Sequence, residues 1–311
     1  MMNLFDMHCD TAFEIFKAKT SLYENDHDIS ILRAESTFGH YAQVMAVWTN
    51  RRKSDEECWR DFLDIRENLL CEAEKCGAKI CVCANDAKNA WITNETALFL
   101  GVEGARILAG RTERIGEIYD LGVRFLTLGW GGSDIIGGSH DTDSPLTDFG
   151  REVIRECARL GIIVDVSHAS RAVTAEWLDF AREHGSAIMA THSNSYYVNP
   201  HTRNLTDEEA KKIAACGGVI GISMAPEHLS ASGKADVYDI IKHISHYFDI
   251  GVGSSVCLGG DLDGISSKPE GIEGIADIPK IAEEMRAAGF SEEDTENVFW
   301  KNAARFVQRA L

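Results

Sequence analysis

Eight short, largely apolar runs recur along the chain, and their alternation with amphipathic stretches restricts the fold more than any other feature. They are LFDMHC (4–9), AQVMAVW (42–48), ALFLGVEG (97–104), VRFLTLGW (123–130), IIVDVSH (162–168), AIMATH (187–192), VIGISM (219–224) and VCLGGD (256–261). Several are apolar almost throughout, as strands buried on both faces of a parallel sheet must be. Between them, TDFGREVIRECARLG (147–161), SRAVTAEWLDFAREHG (170–185) and TDEEAKKIAACG (206–217) each open on Ser or Thr and close on Gly. Those residues cap a helix at its start and let the chain leave it in a left-handed conformation. Eight strands alternating with helices predict an α/β fold of the (β/α)8 barrel type, one domain spanning residues 1–311. A further run, KICVCAN (79–85), is a ninth strand candidate in the long excursion between the second and third barrel strands.

Polar groups collect at one end of these runs. His8 and Asp10 close the first, Glu103 the third, His168 the fifth, His192 the sixth and Asp261 the eighth. In a strand alternate residues share a face, so Asp6, His8 and Asp10 are expected to point the same way. Asp6 lies too deep to ligate with the other two and is expected to be a packing residue or a support for them. The mouth of such a barrel is formed at the C-terminal strand ends, where reacting groups sit. Any one of these residues could be a satisfied core group. Three histidines, two aspartates and a glutamate at the same end form instead a nitrogen and oxygen donor set suited to zinc, with manganese, cobalt or iron as other candidates. Six groups exceed one open tetrahedral site, so two metal ions are expected, with Glu103 as the natural bridge.

The chain carries 31 basic and 49 acidic residues, a formal charge of −18. That balance supplies no basic field for nucleic acid or an anionic membrane and favours a small-molecule substrate. Nine cysteines, an odd number with no zinc-ribbon spacing, are expected to be free thiols in a reducing cytoplasm, and no charged-then-apolar signal segment opens the chain. No apolar run reaches the length of about 20 residues needed to span a bilayer.

The sequence resembles the renal or membrane dipeptidase family, binuclear zinc peptidases on an amidohydrolase-type barrel, over nearly its whole length. The resemblance rests on MHCDT, GVEGA, LGIIVDVSHAS, THSNSYY, TRNLTDEE and GGDLDGI, in that order. It implies that His8 and Asp10 hold one zinc, that His168 and His192 hold the other, and that Glu103 bridges them. It also implies that Asp261 is the catalytic acid and base and that Arg203 clamps the substrate carboxylate. The substrate would be a small dipeptide, with a D-residue allowed at its C-terminal position, and relatives are often homodimers. Where mammalian members carry a histidine that holds the scissile carbonyl oxygen, FLTLGW places Trp130. His140, in the loop GWGGSDIIGGSHDTDS, is either a replacement donor or a surface-loop histidine.

The expected mechanism is attack by a metal-bridged hydroxide with Asp261 shuttling the proton. Asp263, in phase with Asp261, is either a support for a ligand or a solvated turn residue. A guanidinium at Arg203 would read a free α-carboxylate and so limit the enzyme to dipeptides. Two other readings stay open. The same mouth serves lactonases, phosphotriesterase-like enzymes and cyclic-amide hydrolases, although His8-x-Asp10 differs from the His-x-His first strand of several of those. A catalytically impaired metal-binding homologue is the other, with Trp130 as its sign.

Overall fold

The computed structural model describes every residue from Met1 to Leu311, and nine strands form one sheet: β1 (Leu4–Cys9), β2 (Tyr41–Trp48), β3 (Lys79–Cys81), β4 (Ala97–Glu103), β5 (Val123–Thr127), β6 (Ile163–Asp165), β7 (Ile188–Ala190), β8 (Val219–Ile222) and β9 (Val256–Leu258). The order runs β2-β1-β9-β8-β7-β6-β5-β4, and β2 also pairs with β4, which closes an eight-stranded parallel barrel. β3 stands outside the ring. It pairs with Ala97, Leu98 and Phe99, whereas β5 joins β4 only from Leu100 onward, so β3 occupies the edge that β5 leaves open. The ninth strand expected over 79–85 is therefore real but shorter. It ends at Cys81, and the chain enters the helix Ala84–Thr93.

The expected caps are in place. The Thr147 and Ser170 side chains accept hydrogen bonds from the N–H groups of Gly150 and Val173, while Thr206 and Glu209 form a reciprocal capping box. Gly161 and Gly185 end their helices with left-handed backbone. The outer helices pack on the outward residues of the strands, such as Leu98, Leu100 and Val102 of β4. The inward residues make a second core of Phe5, Phe99, Phe125, Ile163, Met189, Val219 and Cys257. Phe306 and Val307, on the helix Asn302–Ala310, and Ala87 and Ala90 seal the N-terminal end of the barrel beneath it. Each such aromatic or branched side chain contributes about 1.5–3 kcal/mol when removed from water.

Above this apolar plug the inward positions turn polar. Glu103 lies opposite Thr127, and Thr127 opposite Asp165, across β4, β5 and β6. In β1 the pairing with β2 slips. Asp6 faces Gln43 but Cys9 faces Met45, so β1 carries one extra residue, a bulge. The bulge corrects the shared face expected for Asp6, His8 and Asp10. Phe5 and Met7 belong to the inner core and Leu4 and Cys9 to the outer one, so the extra residue turns His8 inward beside Met7 and leaves Asp6 outside. Asp6 is buried there, accepting hydrogen bonds from the His8 N–H (2.9 Å), Gln43 Nε2 (3.2 Å) and the Gly260 N–H (2.9 Å). It ties β1 to β2 and to the turn after β9. No helix is long and apolar enough to cross a membrane, and all nine cysteines are unpaired.

Candidate metal centre and its cleft

The strands that carry the site end early. β6, β7 and β9 stop at Asp165, Ala190 and Leu258, so His168, His192 and Asp261 sit on the first residues of the following loops. Asp165 begins the turn that delivers His168, its Oδ1 accepting the Ser167 N–H at 2.9 Å. His168 and Asp261 both hold left-handed backbone, with φ of 67° and 60°. A non-glycine residue pays for that conformation with roughly 1–3 kcal/mol, and such strain concentrates where a side chain must be aimed. Beside them Gly264 has no room for a side chain, because a Cβ would collide with Asp10 Oδ2 and Asp261 Oδ1.

Six donor atoms converge. Glu103 Oε1 lies 3.0 Å from His168 Nε2, 3.6 Å from His192 Nε2 and 3.7 Å from His8 Nε2. His8 Nε2 is also 3.6 Å from Asp10 Oδ2 and 3.8 Å from Asp261 Oδ1. Two donor triplets result, Glu103–His168–His192 and His8–Asp10–Asp261, joined through the Glu103–His8 approach. His8 Nε2 and Asp10 Oδ1 are buried without a hydrogen-bond partner.

The electrostatics are those of a site short of positive charge. Burial pushes Asp10, Glu103 and Asp261 above the usual carboxylate range, and repulsion adds to it, from Glu103 at Asp10, from Asp165 at Glu103, and from Asp10 and Glu103 at Asp261. Burial opposes a proton on His8, yet Glu103, Asp10 and Asp261 outweigh it and hold the imidazolium up to about 10. His168 and His192 are driven well below the usual histidine value, by burial first and then by neighbouring cations, and so stay neutral with lone pairs available. Clustered buried carboxylates with neutral imidazoles suit divalent cations.

A second layer fixes the imidazoles. Thr191 donates its hydroxyl to Asp165 Oδ2 at 2.6 Å, and the same oxygen lies 2.7 Å from His192 Nδ1 and 3.4 Å from His8 Nδ1. With its proton committed to a carboxylate, that oxygen accepts from His192 Nδ1–H, which leaves the Nε2 of His192 bare toward the centre. Asp165 also accepts from the Thr127 hydroxyl (2.7 Å) and from the N–H groups of Ser167 and Thr191 (2.9 Å each). Its lone pairs are thus filled, so it orients ligands rather than joining them, although it stands within ligand distance of His8 and His192. Sequence reasoning passed over Asp165 and Thr191. The available signal was one charged residue in the middle of the apolar run IIVDVSH.

The donor cluster floors a cleft of about 460 Å³. Arg203 is buried at one side, with one guanidinium nitrogen donating to the His192 carbonyl at 3.2 Å and Nε free of any partner. Its loop is stitched down by Asn204, whose amide donates to the Asn199 and His228 carbonyls. His140 lines the same cleft rather than standing on a loop surface. Its backbone N–H donates to the His168 carbonyl at 2.7 Å, and burial together with Arg203 lowers the pKa of its ring to about 4. Trp130 borders the cleft, 38% exposed, its ring 5.3 Å from that of Trp48. Asp263 does not support a ligand. Its carboxylate accepts from the Thr11 hydroxyl (2.6 Å) and the Asp28 N–H (2.7 Å) and so anchors the loop after the first helix.

Residues 1–310 match the family described as membrane dipeptidase (peptidase family M19). An uncharacterised Klebsiella pneumoniae protein from the pqqA 5′ region is 31% identical over 80% of this chain and 94% of its own length. An uncharacterised Schizosaccharomyces pombe dipeptidase is 30% identical over 70% of this chain and 54% of its own. A Rhodobacter sphaeroides metallopeptidase, solved with a phosphinate mimic of the dipeptide L-Ala-D-Ala, superposes with a TM-score of 0.91 at 22% identity, covering 100% of this chain and 99% of that one.

Proposed function

The chain belongs to the membrane dipeptidase family, peptidase family M19, and is a metal-dependent dipeptidase; from that premise we propose that it is a binuclear zinc enzyme whose substrates include dipeptides with a C-terminal D-residue. The observation that carries the two-metal reading is the position of Glu103, whose single Oε1 lies within 3.7 Å of three imidazole Nε2 atoms. In this reading His8 and Asp10 would hold one ion and His168 and His192 the other, with Glu103 shared between them. The ions, when bound, supply Lewis acidity, which makes water a nucleophile near neutral pH and polarises a carbonyl.

The remaining work falls to the chain. Asp261 takes the proton of the attacking water and returns it to the departing amine. Burial and the neighbouring Asp10 and Glu103 carboxylates hold its pKa well above the ordinary range, which suits a group that must carry a proton as well as accept one. Arg203 offers its unoccupied Nε edge to the substrate's α-carboxylate, the pairing a guanidinium makes best. His140, neutral at working pH, supplies an N–H to the substrate carbonyl, and Trp130 closes the wall beside it. The L-Ala-D-Ala mimic bound by the Rhodobacter enzyme supports a D-residue at the carboxylate end. Nine unpaired thiols support a reducing cytoplasmic setting.

The test is a panel of Xaa-L-Ala and Xaa-D-Ala dipeptides assayed before and after chelation, with metal analysis alongside. We expect two zinc ions per chain, activity lost on chelation and restored by zinc, and an Asp261→Asn protein that keeps its metal without turnover. Activity insensitive to chelation, or no hydrolysis of any dipeptide after metal is restored, would overturn the reading.

A further inference from the structure

We propose that Phe13, Trp48 and Trp130 form the subsite for the side chain of the substrate's amino-terminal residue, and that this subsite selects a large apolar or aromatic side chain. The inference rests on the dipeptidase reading and specifies its substrate class.

The barrel order fixes the direction in which a dipeptide lies. Going round the ring as β1, β2, β4, β5, β6, β7, β8 and β9, β2 stands opposite β7. Arg203 comes from the loop after β7, and Trp48 is the last residue of β2. A dipeptide whose carboxylate meets Arg203 and whose scissile bond lies over Glu103 must therefore extend its first residue toward the β2 side of the mouth. The wall it meets there is aromatic. Phe13 and Trp48 are packed edge to face at 5.0 Å between ring centroids, and Trp48 and Trp130 likewise at 5.3 Å. All three line the cleft, together with Ile265.

Trp130 is not a core residue in need of cover. It forms a partition, with the catalytic cleft on one side and, on the other, a separate cavity of about 280 Å³ lined by Arg51, Ser133 and Asp134. Its ring is more than a third exposed, with the Trp48 ring at 5.3 Å and the His168 ring at 6.1 Å. An exposed indole braced by a second ring offers a large, rigid apolar surface at little entropic cost.

The charges around this wall disfavour an acidic side chain most strongly. Glu14 borders the cleft beside Phe13, and Lys17 pairs with it at 3.1 Å and lies 5.5 Å over the Phe13 ring, so the carboxylate next to the aromatic wall already has a cation beside it. An acidic side chain would approach Asp10, Asp261 and Asp263, which line the same cleft. An apolar side chain meets neither obstacle.

The experiment compares kcat/KM for Phe-Ala, Leu-Ala, Gly-Ala and Asp-Ala with the zinc-loaded enzyme, and then with Trp130→Ala and Trp130→Phe. Apolar pockets discriminate side chains by about tenfold or more. We expect Phe-Ala and Leu-Ala to exceed Gly-Ala by at least that factor, with Asp-Ala the poorest. The Phe-Ala to Gly-Ala ratio should collapse in Trp130→Ala and recover in Trp130→Phe. Turnover with a wild-type ratio near one, or a ratio that Trp130→Ala leaves unchanged, overturns this subsite. Absence of turnover on every peptide overturns the dipeptidase reading beneath it instead.

Discussion

His168 Nε2 and His192 Nε2 lie 2.9 Å apart, each directed at the same oxygen of Glu103. Two neutral imidazoles brought this close gain little from each other. Their shared target is a point that a cation would occupy, and the Asp165–Thr191 pair behind His192 holds the tautomer that leaves its lone pair free.

Replacing Asp165 with Asn should therefore weaken metal binding without removing a ligand. An amide offers one acceptor oxygen and puts donors against the Thr127 and Thr191 hydroxyls. Loss of such a support lowers metal affinity by about 10–100-fold. A zinc titration against a competing chelator measures this, and unchanged affinity would deny Asp165 its orienting role.

Gly264 is required by contact. A methyl group there meets Asp10 Oδ2 and Asp261 Oδ1 together. Gly264→Ala should cut kcat by about tenfold or more, since small displacements of a catalytic constellation are costly, and should reduce zinc content through Asp10. A fully active, fully loaded variant would show that the turn after β9 yields freely.

Arg203→Ala should act on binding of the substrate carboxylate. Hydrogen bonds to charged groups contribute about 1.5–3 kcal/mol, so KM for a dipeptide should rise by roughly tenfold or more. A dipeptide amide, lacking that carboxylate, should be little affected. Equal effects on both substrates would remove Arg203 from carboxylate recognition.

His243 should make the fold acid-sensitive. Its Nδ1 accepts the Ser195 N–H and its Nε2 lies 3.0 Å from the Leu229 carbonyl, so it is held neutral. Burial, against some support for the charged form from the Leu229 carbonyl and Asp239, lowers its pKa from 6.5 to about 4. Between those values the unfolded chain binds a proton that the folded chain does not. This contribution is fully present above pH 6.5 and is lost as pH falls toward 4, at about 1.4 kcal/mol per pH unit. Urea unfolding at pH 7 and pH 4.5 should show a smaller loss for His243→Gln than for the wild type, and equal losses would assign the acid sensitivity elsewhere.

Much of this was legible along the chain. The eight apolar runs became the eight barrel strands, because strand length and two-sided burial leave their mark on adjacent residues. The donor residues could be named because they interrupt those runs. Trimming of the strands was not legible: β6 and β7 hold three residues each, and His168 and His192 fall in the turns beyond them. A run of apolar residues does not record where its pairing stops.

The sequence by itself determined the barrel, its helices and the identity of the groups at its mouth, since each depends on spacing within a short segment. Only the tertiary structure decided that a bulge turns His8 inward and Asp6 outward, that Asp165 and Thr191 set which nitrogen of His192 is bare, and that Trp48 and Arg203 stand on opposite sides of the cleft. Register, tautomer and position round a ring are relations between residues far apart in the chain, and they come into being only when the ring closes.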